Sequence, residues 1–189
     1  MNKIIYIDEK STDTQAKIEI SYTRVKISFP GSTSWKDIKT AAGGKMIECE
    51  DGVKRSQTIY DAIKSIHKEV TECIYEMPSN FLIEISGHSL GGGLAQEMAF
   101  WLLLEGFSMV KLTLDGSIRI GNKAYALFLE KGCVSIVWNE TGNDPVVFIW
   151  PWLSRVGKVV PLKPRKFPWL DFDIVNGDHM GYWPVEYKR

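Results

Sequence analysis

Three residue types bound the chemistry within reach of this chain: a serine framed by glycines, three histidines, and a few carboxylates at the ends of apolar runs. Gly87-His88-Ser89-Leu90-Gly91 reads G-x-S-x-G. Composition alone produces that pattern in roughly one chain in fifteen of this length, so its setting carries the weight. An apolar run, Phe81 to Ser86, precedes it, and another, Leu90 to Leu104, follows. A serine on a sharp turn from a buried strand into a buried helix presents its hydroxyl for attack on a carbonyl. Side chains two positions to either side would strike the neighbouring strand and helix, and Gly87 and Gly91 remove them. The Leu90 N–H, opening the helix, then points at the oxyanion that develops on the attacked carbon's oxygen. A phosphate-holding turn is the competing reading, but the stretch contains neither G-x-x-x-x-G-K-[ST] nor G-x-G-x-x-G.

A nucleophilic serine needs a base, and the base needs a carboxylate to hold its tautomer. The histidines are His67, His88 and His179. His67 falls inside a helical pattern, between Ile66 and Lys68, and reads as a satisfied helix residue. His88 adjoins Ser89 on the same tight turn and so points elsewhere. His179, in the polar run Asn176-Gly177-Asp178-His179, is the candidate base. The chain order nucleophile, acid, histidine selects Asp144, which follows a strand and precedes Pro145; Asp115 also ends a strand and competes for the role. A second oxyanion donor has to come from a loop after an early strand, and the Ser32 N–H in Gly31-Ser32-Thr33-Ser34 is well placed. Val146, Phe148 and Trp150, in the apolar run after Asp144, and Trp35, after the oxyanion loop, are candidates for an acyl-pocket wall or a lipid interface, with ordinary core as the alternative. This chemistry calls for no cofactor, and no ligand cluster suits a metal.

The elements that must position these groups can be read from periodicity. Lys3 to Ile7, Lys17 to Tyr22 and Val25 to Phe29 read as strands, with a turn over Thr12 to Gln15. Ile59, Ala62, Ile63, Ile66, Val70, Cys73, Ile74 and Met77 share one face of a helix over Ser56 to Met77, stopped by Pro78. A strand over Phe81 to Ser86 leads into the helix over Leu90 to Leu104, which is apolar nearly all round. A strand over Val110 to Leu114, a helix over Lys123 to Glu130, and strands over Val134 to Trp138 and Lys158 to Leu162 follow. Alternating strands and helices predict an α/β fold: a mostly parallel central sheet, helices on both faces, and an antiparallel N-terminal edge. With no repeat or linker visible, residues 1–189 read as a single domain.

The same residues carry a family resemblance. Phe81 to Leu104, with its GHSLGGGLA core, resembles the fungal-type (class 3) lipases of the α/β-hydrolase superfamily. Phe29-Pro30-Gly31-Ser32 resembles that family's F-R-G-[ST], and Trp35-Lys36-Asp37-Ile38 its D-W-x-x-D-L run. Gly116 to Asn122 resembles G-S-P-R-V-G-N. Trp138-Asn139 with Asn143-Asp144-Pro145-Val146 resembles the acid segment, and His179-Met180-Gly181-Tyr182 the histidine segment. Pro30, Ile118 and Asp115 depart from the family's Arg, Pro and aromatic residue, and the chain is short for the family. The resemblance implies an α/β-hydrolase fold, hydrolysis of carboxylic esters, and a Ser32 hydroxyl facing Ser89.

Composition narrows the remaining classes. The 189 residues carry 23 basic and 23 acidic side chains, for a net charge of zero. No basic excess exists to neutralise phosphates, so nucleic acid is not an expected partner. The start, MNKIIYIDEK, has no signal-peptide pattern, and the odd count of three cysteines suits reduced thiols. Together these predict a cytoplasmic protein whose partners are an ester or lipid substrate and, at most, a lipid surface touched peripherally. The expected activity is ester hydrolysis (a lipase or esterase) through an acyl-enzyme. A thioesterase or acyltransferase on the same triad is the nearest alternative, and a non-catalytic lipid-binding module is the other. The module reading has no use for a serine, an aspartate and a histidine together.

Overall fold

The computed structural model describes residues 2–31, 44–75, 77–78, 81–141 and 144–163. Three strands open the chain: β1 (Lys3–Glu9), β2 (Thr14–Ile20) and β3 (Arg24–Phe29). They pair antiparallel, with Ile7 opposite Ala16 and Ile18 opposite Ile27. β2 lies a little earlier than its alternation predicts. Ser21 N and Oγ both donate to Arg24 O, at 2.9 and 3.0 Å, and this turn leaves Tyr22 at an exposed tip. A small two-stranded sheet, β4 (Met46–Glu48) with β5 (Lys54–Ser56), comes next. Each of its strands is three residues long, too short to show a period.

Helix α1 (Gln57–Ile74) begins where Ser56 Oγ accepts a hydrogen bond from Ile59 N. Its buried stripe is Ile59, Ala62, Ile63, Ile66, Val70, Thr71 and Ile74, close to the predicted face. Burying one such isoleucine contributes about 1.5–3 kcal/mol. The helix ends at Ile74, short of the predicted Met77. Strand β6 (Leu82–His88), helix α2 (Leu90–Leu104), strand β7 (Val110–Asp115), helix α3 (Lys123–Gly132), and strands β8 (Ser135–Thr141) and β9 (Lys158–Lys163) complete the series.

The main sheet has seven strands in the order β1-β2-β3-β6-β7-β8-β9, parallel from β3 onward. This is the α/β-hydrolase arrangement with its antiparallel N-terminal edge. One sheet face carries Ile18, Ile27, Ile85, Leu112 and Leu114, all buried. Helices α1 and α2 pack on that face and on each other, and α3 joins them by stacking Tyr125 on Phe100 at 5.1 Å between ring centroids. The other face is polar. Glu84 pairs with Arg24 at 3.1 Å and Lys111 at 3.3 Å, and Ser28 and Ser86 share a hydrogen bond of 3.2 Å. Helices on this second face are not among the described residues. Strands β3, β6 and β7 alternate apolar with polar residues instead of running apolar throughout.

Candidate active site

The registers of β3, β6, β7 and β8 align the strands' carboxyl ends. Phe29 faces Gly87, His88 faces Asp115, and Asp115 faces Asn139. In open α/β sheets this edge is where ligands bind. Ser89 stands on it between β6 and α2, fully buried, at φ 54° and ψ −120°. That conformation is strained for a residue with a Cβ and costs about 1–3 kcal/mol. Backbone bonds hold the strain in place. Ser89 N donates to Asp115 O at 2.9 Å, while Ser89 O accepts from Gly92 N at 3.1 Å and Ile118 N at 3.3 Å. The Ser89 hydroxyl does not cap α2. By helix geometry the N–H of Leu90, first in α2, has no acceptor within the helix.

The glycines are required by close packing. A Cβ on Gly87 would run into the carbonyl of Gly91, and a Cβ on Gly91 into the carbonyl oxygens of Phe29 and Pro30. Gly92, outside the five-residue pattern, is equally constrained, since its Cβ would strike Ser117 Oγ. Gly31 matters for a different reason. A Cβ there would lie 2.7 Å from His88 Nδ1 and 3.3 Å from Ser89 Cβ. The chain leaving β3 therefore passes directly against the elbow at Gly31. Ser32, the candidate second oxyanion donor, lies outside the described residues, as do Trp35 and His179.

Asp144 follows β8 and is fully buried. Its N donates to Thr141 O at 3.1 Å, and its Oδ1 accepts from Val146 N at 2.9 Å, which closes a tight turn around Pro145. Asp115, at the end of β7, is 8% exposed and accepts from Asn139 Nδ2 at 2.7 Å. Burial pushes its carboxyl above the ordinary range, against the pull of that hydrogen bond. The elbow and both carboxylates thus occupy the ends of three consecutive parallel strands, each about 4.8 Å from the next.

The other histidines have separate environments. His67 Nε2 lies 2.8 Å from Glu105 Oε1, and its ring packs 4.3 Å from that of Trp101, between α1 and α2. His88 is buried at the end of β6, against Gly31. The apolar run after Asp144 divides. Val146 and Val147 belong to the core, whereas Phe148 and Trp152 face outward at 41% and 73% exposure. Trp150, partly buried, takes φ 55° in the turn between them.

Sequence reasoning picked out Gly116 to Asn122 by resemblance but missed that this segment ties these parts together. Gly116 to Asn122 bonds to the elbow through Ile118 N, and Gln96 Nε2 donates to both Ser117 Oγ and Ile118 O at 2.9 Å. Arg119 Nη1 donates to Pro151 O at 3.1 Å and Leu153 O at 3.3 Å, and Ser154 N donates to Gly121 O at 2.8 Å. On its third side, Ser56 N donates to Ile120 O and Asn122 N to Lys54 O. Next to Gln96 on α2, Glu97 accepts from Arg55 Nη1 at 2.5 Å, Trp101 Nε1 at 2.8 Å and Tyr125 OH at 3.4 Å. Burial raises the Glu97 carboxyl to about 7, against the opposing pull of Arg55. Gln96 and Glu97 in an otherwise apolar helix were the available signal, because buried polar groups must find partners.

Comparison with known proteins places this geometry. The chain is 29% identical over 150 residues to secreted mono- and diacylglycerol lipase A of Penicillium cyclopium and to that of Penicillium camembertii. These alignments cover 75% of this chain but 48% of each relative, so the chain spans about half the length of the curated relatives it matches. Among solved structures, the triacylglyceride lipase of Rhizomucor miehei superposes with a TM-score of 0.76 at 20% identity, covering 85% of this chain and 66% of that one. Lipase II of Rhizopus niveus gives 0.75 at 19%, with the same coverage. At these identities the likeness is one of fold. The expected cytoplasmic location is overturned, since both curated relatives are secreted proteins by name. An odd number of thiols is a weak indicator of compartment. Cys49, Cys73 and Cys133 are free, and burial pushes the Cys133 thiol up to about 12. Residues 26–153 match the model of the lipase (class 3) family, and the chain belongs to that family.

Proposed function

We infer that this protein hydrolyses carboxylic esters, as a lipase or esterase, through an acyl-enzyme on Ser89, and that residues 1–189 act as one hydrolase domain. The observation that carries the reading is the backbone of Ser89. It is a strained, positive-φ residue at a strand-to-helix junction, with glycines wherever a side chain would clash. Such strain persists at sites where function requires it.

In this mechanism Ser89 Oγ attacks the ester carbonyl and passes its proton to His179. The Leu90 N–H and the Ser32 N–H hold the oxyanion, and the Ser32 hydroxyl adds a further donor. His179 then returns the proton to the departing alcohol, and a water repeats the cycle on the acyl-enzyme. Asp144 fixes the His179 tautomer and stabilises the imidazolium. Asp144 suits that role because its turn is anchored through Oδ1 to Val146 N, which holds the carboxylate at the end of β8. Phe148, Trp150 and Trp35 are the side chains we assign to the acyl pocket or to a lipid-facing surface. The glyceride substrates named for the Penicillium relatives are the first to test.

A fluorophosphonate probe tests the reading at its centre. The wild type is expected to label stoichiometrically at Ser89, and Ser89→Ala not at all. A folded wild type that resists labelling and hydrolyses no ester, thioester or phospholipid refutes it.

A further inference from the structure

Strand β1 is an open edge of the seven-stranded sheet among the described residues. Its sequence, Lys3-Ile-Ile-Tyr-Ile-Asp-Glu9, pairs with β2 through seven consecutive residues without a bulge. Natural edges are usually blunted by proline, by bulges or by charges placed mid-strand. β1 has none of these between Ile4 and Ile7. It also carries apolar surface outward, with Ile4 54% and Tyr6 71% exposed on the polar face of the sheet. A long, flat edge of β-branched and aromatic residues is a template for a further strand.

The charges select the strand it takes. We propose that β1 pairs antiparallel with β1 of a second copy of this chain, about a dyad through Tyr6, joining two seven-stranded sheets into one. Side chains opposite one another in an antiparallel pair share a sheet face, so only registers centred on a residue are compatible with the dyad. Centring on Tyr6 pairs all seven residues of both strands. It sets Lys3 against the partner's Glu9 at each end, Ile5 against Ile7, and the two Tyr6 rings side by side. Centring on Ile5 or Ile7 leaves residues unpaired and loses both ion pairs. Glu9 Oε1 already accepts from Ser11 N at 2.8 Å, and a carboxylate has further lone pairs for a lysine. β1 is separated from β6 by β2 and β3, so pairing here leaves the Ser89 elbow open in each copy.

The experiment is sedimentation equilibrium of the full chain combined with a charge swap. The wild type is expected to be a dimer at roughly 200 μM or below. Lys3→Glu and Glu9→Lys, each placing like charges opposite one another twice, are each expected to weaken the dimer roughly tenfold to hundredfold. The double variant Lys3→Glu/Glu9→Lys is expected to restore it, which no general loss of folding would do. Tyr6→Cys is expected to cross-link to its own copy under mild oxidation, because Cα atoms opposite one another across an antiparallel pair lie about 4.5–5.5 Å apart, within disulfide reach. Fluorophosphonate labelling reports in each variant that the fold around Ser89 survives. A monomeric wild type, a dimer indifferent to both reversals, a swap that fails to restore it, or a Tyr6→Cys chain that does not cross-link overturns the proposal.

Discussion

Asp115 and Asp144 occupy the ends of neighbouring strands, and only one of them can orient the base. In Asp144→Asn, the remaining Oδ1 still accepts from Val146 N, whose hydrogen bond is 2.9 Å in the wild type, so the turn survives. What is lost is an acceptor toward His179, now replaced by a donor that favours the wrong imidazole tautomer. The expected fall in kcat is about 10⁴, or about 5 kcal/mol of barrier. Asp115→Asn keeps an acceptor for Asn139 Nδ2 and is expected to retain activity within about tenfold. Its stability moves the other way. Burial raises the Asp115 carboxyl in the folded state, so that state binds the proton more tightly than the unfolded chain does. The Asp115 contribution to stability is therefore fully present below the unfolded carboxyl's pKa and is lost as pH rises through the folded one. The neutral amide removes that decline, so Asp115→Asn is expected to melt above the wild type near pH 8, with the advantage shrinking toward about pH 4. The assays are p-nitrophenyl butyrate hydrolysis and thermal melts at both pH values. Reversed ranks in kcat reassign the acid to Asp115, and an Asp115→Asn chain less stable than wild type near pH 8 refutes the burial argument.

Ser89→Ala is expected to stay folded and retain only the residual acceleration of a site without its nucleophile, roughly 10³–10⁴ over water; activity within about tenfold of wild type refutes the assignment. Arg55→Met strands the buried Glu97 carboxyl and is expected to cost about 3–5 kcal/mol in urea unfolding, with Arg55→Met/Glu97→Leu recovering most of it; a single variant as stable as the double would show that Glu97 without Arg55 carries no penalty. Arg119→Met removes two guanidinium hydrogen bonds to the Pro151 and Leu153 carbonyls, and a loss of about 3 kcal/mol is expected from the same assay; an unchanged midpoint would mean the turn holds itself. Short to medium acyl esters in free solution are expected to be preferred over emulsified long-chain fats, because the Trp35–Gly44 stretch is too short for a full lid; a jump in rate as p-nitrophenyl esters pass their solubility limit would show interfacial activation instead.

The parts of the fold that repeat a period were legible in the sequence. The stripe from Ile59 to Ile74 and the apolar runs on either side of Gly87-His88-Ser89 appear as α1, β6 and α2 at nearly their predicted bounds. β4 and β5 were not legible, because three residues display no alternation. β8 runs to Thr141, past the predicted Trp138, because Asn139 and Glu140 find polar partners in Asp115 and Arg155 that local pattern does not reveal. The need for Gly92 was not legible, since its contact with Ser117 comes from a loop far along the chain. Ser89, Leu90 and Asp144 lie among the described residues, and Ser32, Trp35 and His179 lie outside them.

The segment Gly116 to Asn122 explains how the elbow is held under strain. Ser89 at φ 54° relaxes unless its flanks are held. The helix side is anchored by Gln96 reaching back to Ser117 and Ile118, and the strand side by Asp115 O. The first anchor belongs to the stretch that follows β7, and the second is the strand residue immediately before it. That stretch also carries Arg119, which grips the turn after the acid, and Asn122, whose Oδ1 accepts from Lys54 N and caps α3 by accepting from Tyr125 N at 3.0 Å. The Ser89 turn, the turn after Asp144 and the β4–β5 hairpin are therefore all bonded to a single segment. Relative placement of groups on separate strands would otherwise depend on side-chain packing that tolerates shifts, and a 1 Å error at such a site costs about 10²-fold in rate. Hydrogen bonds from one backbone segment to three neighbours remove that slack.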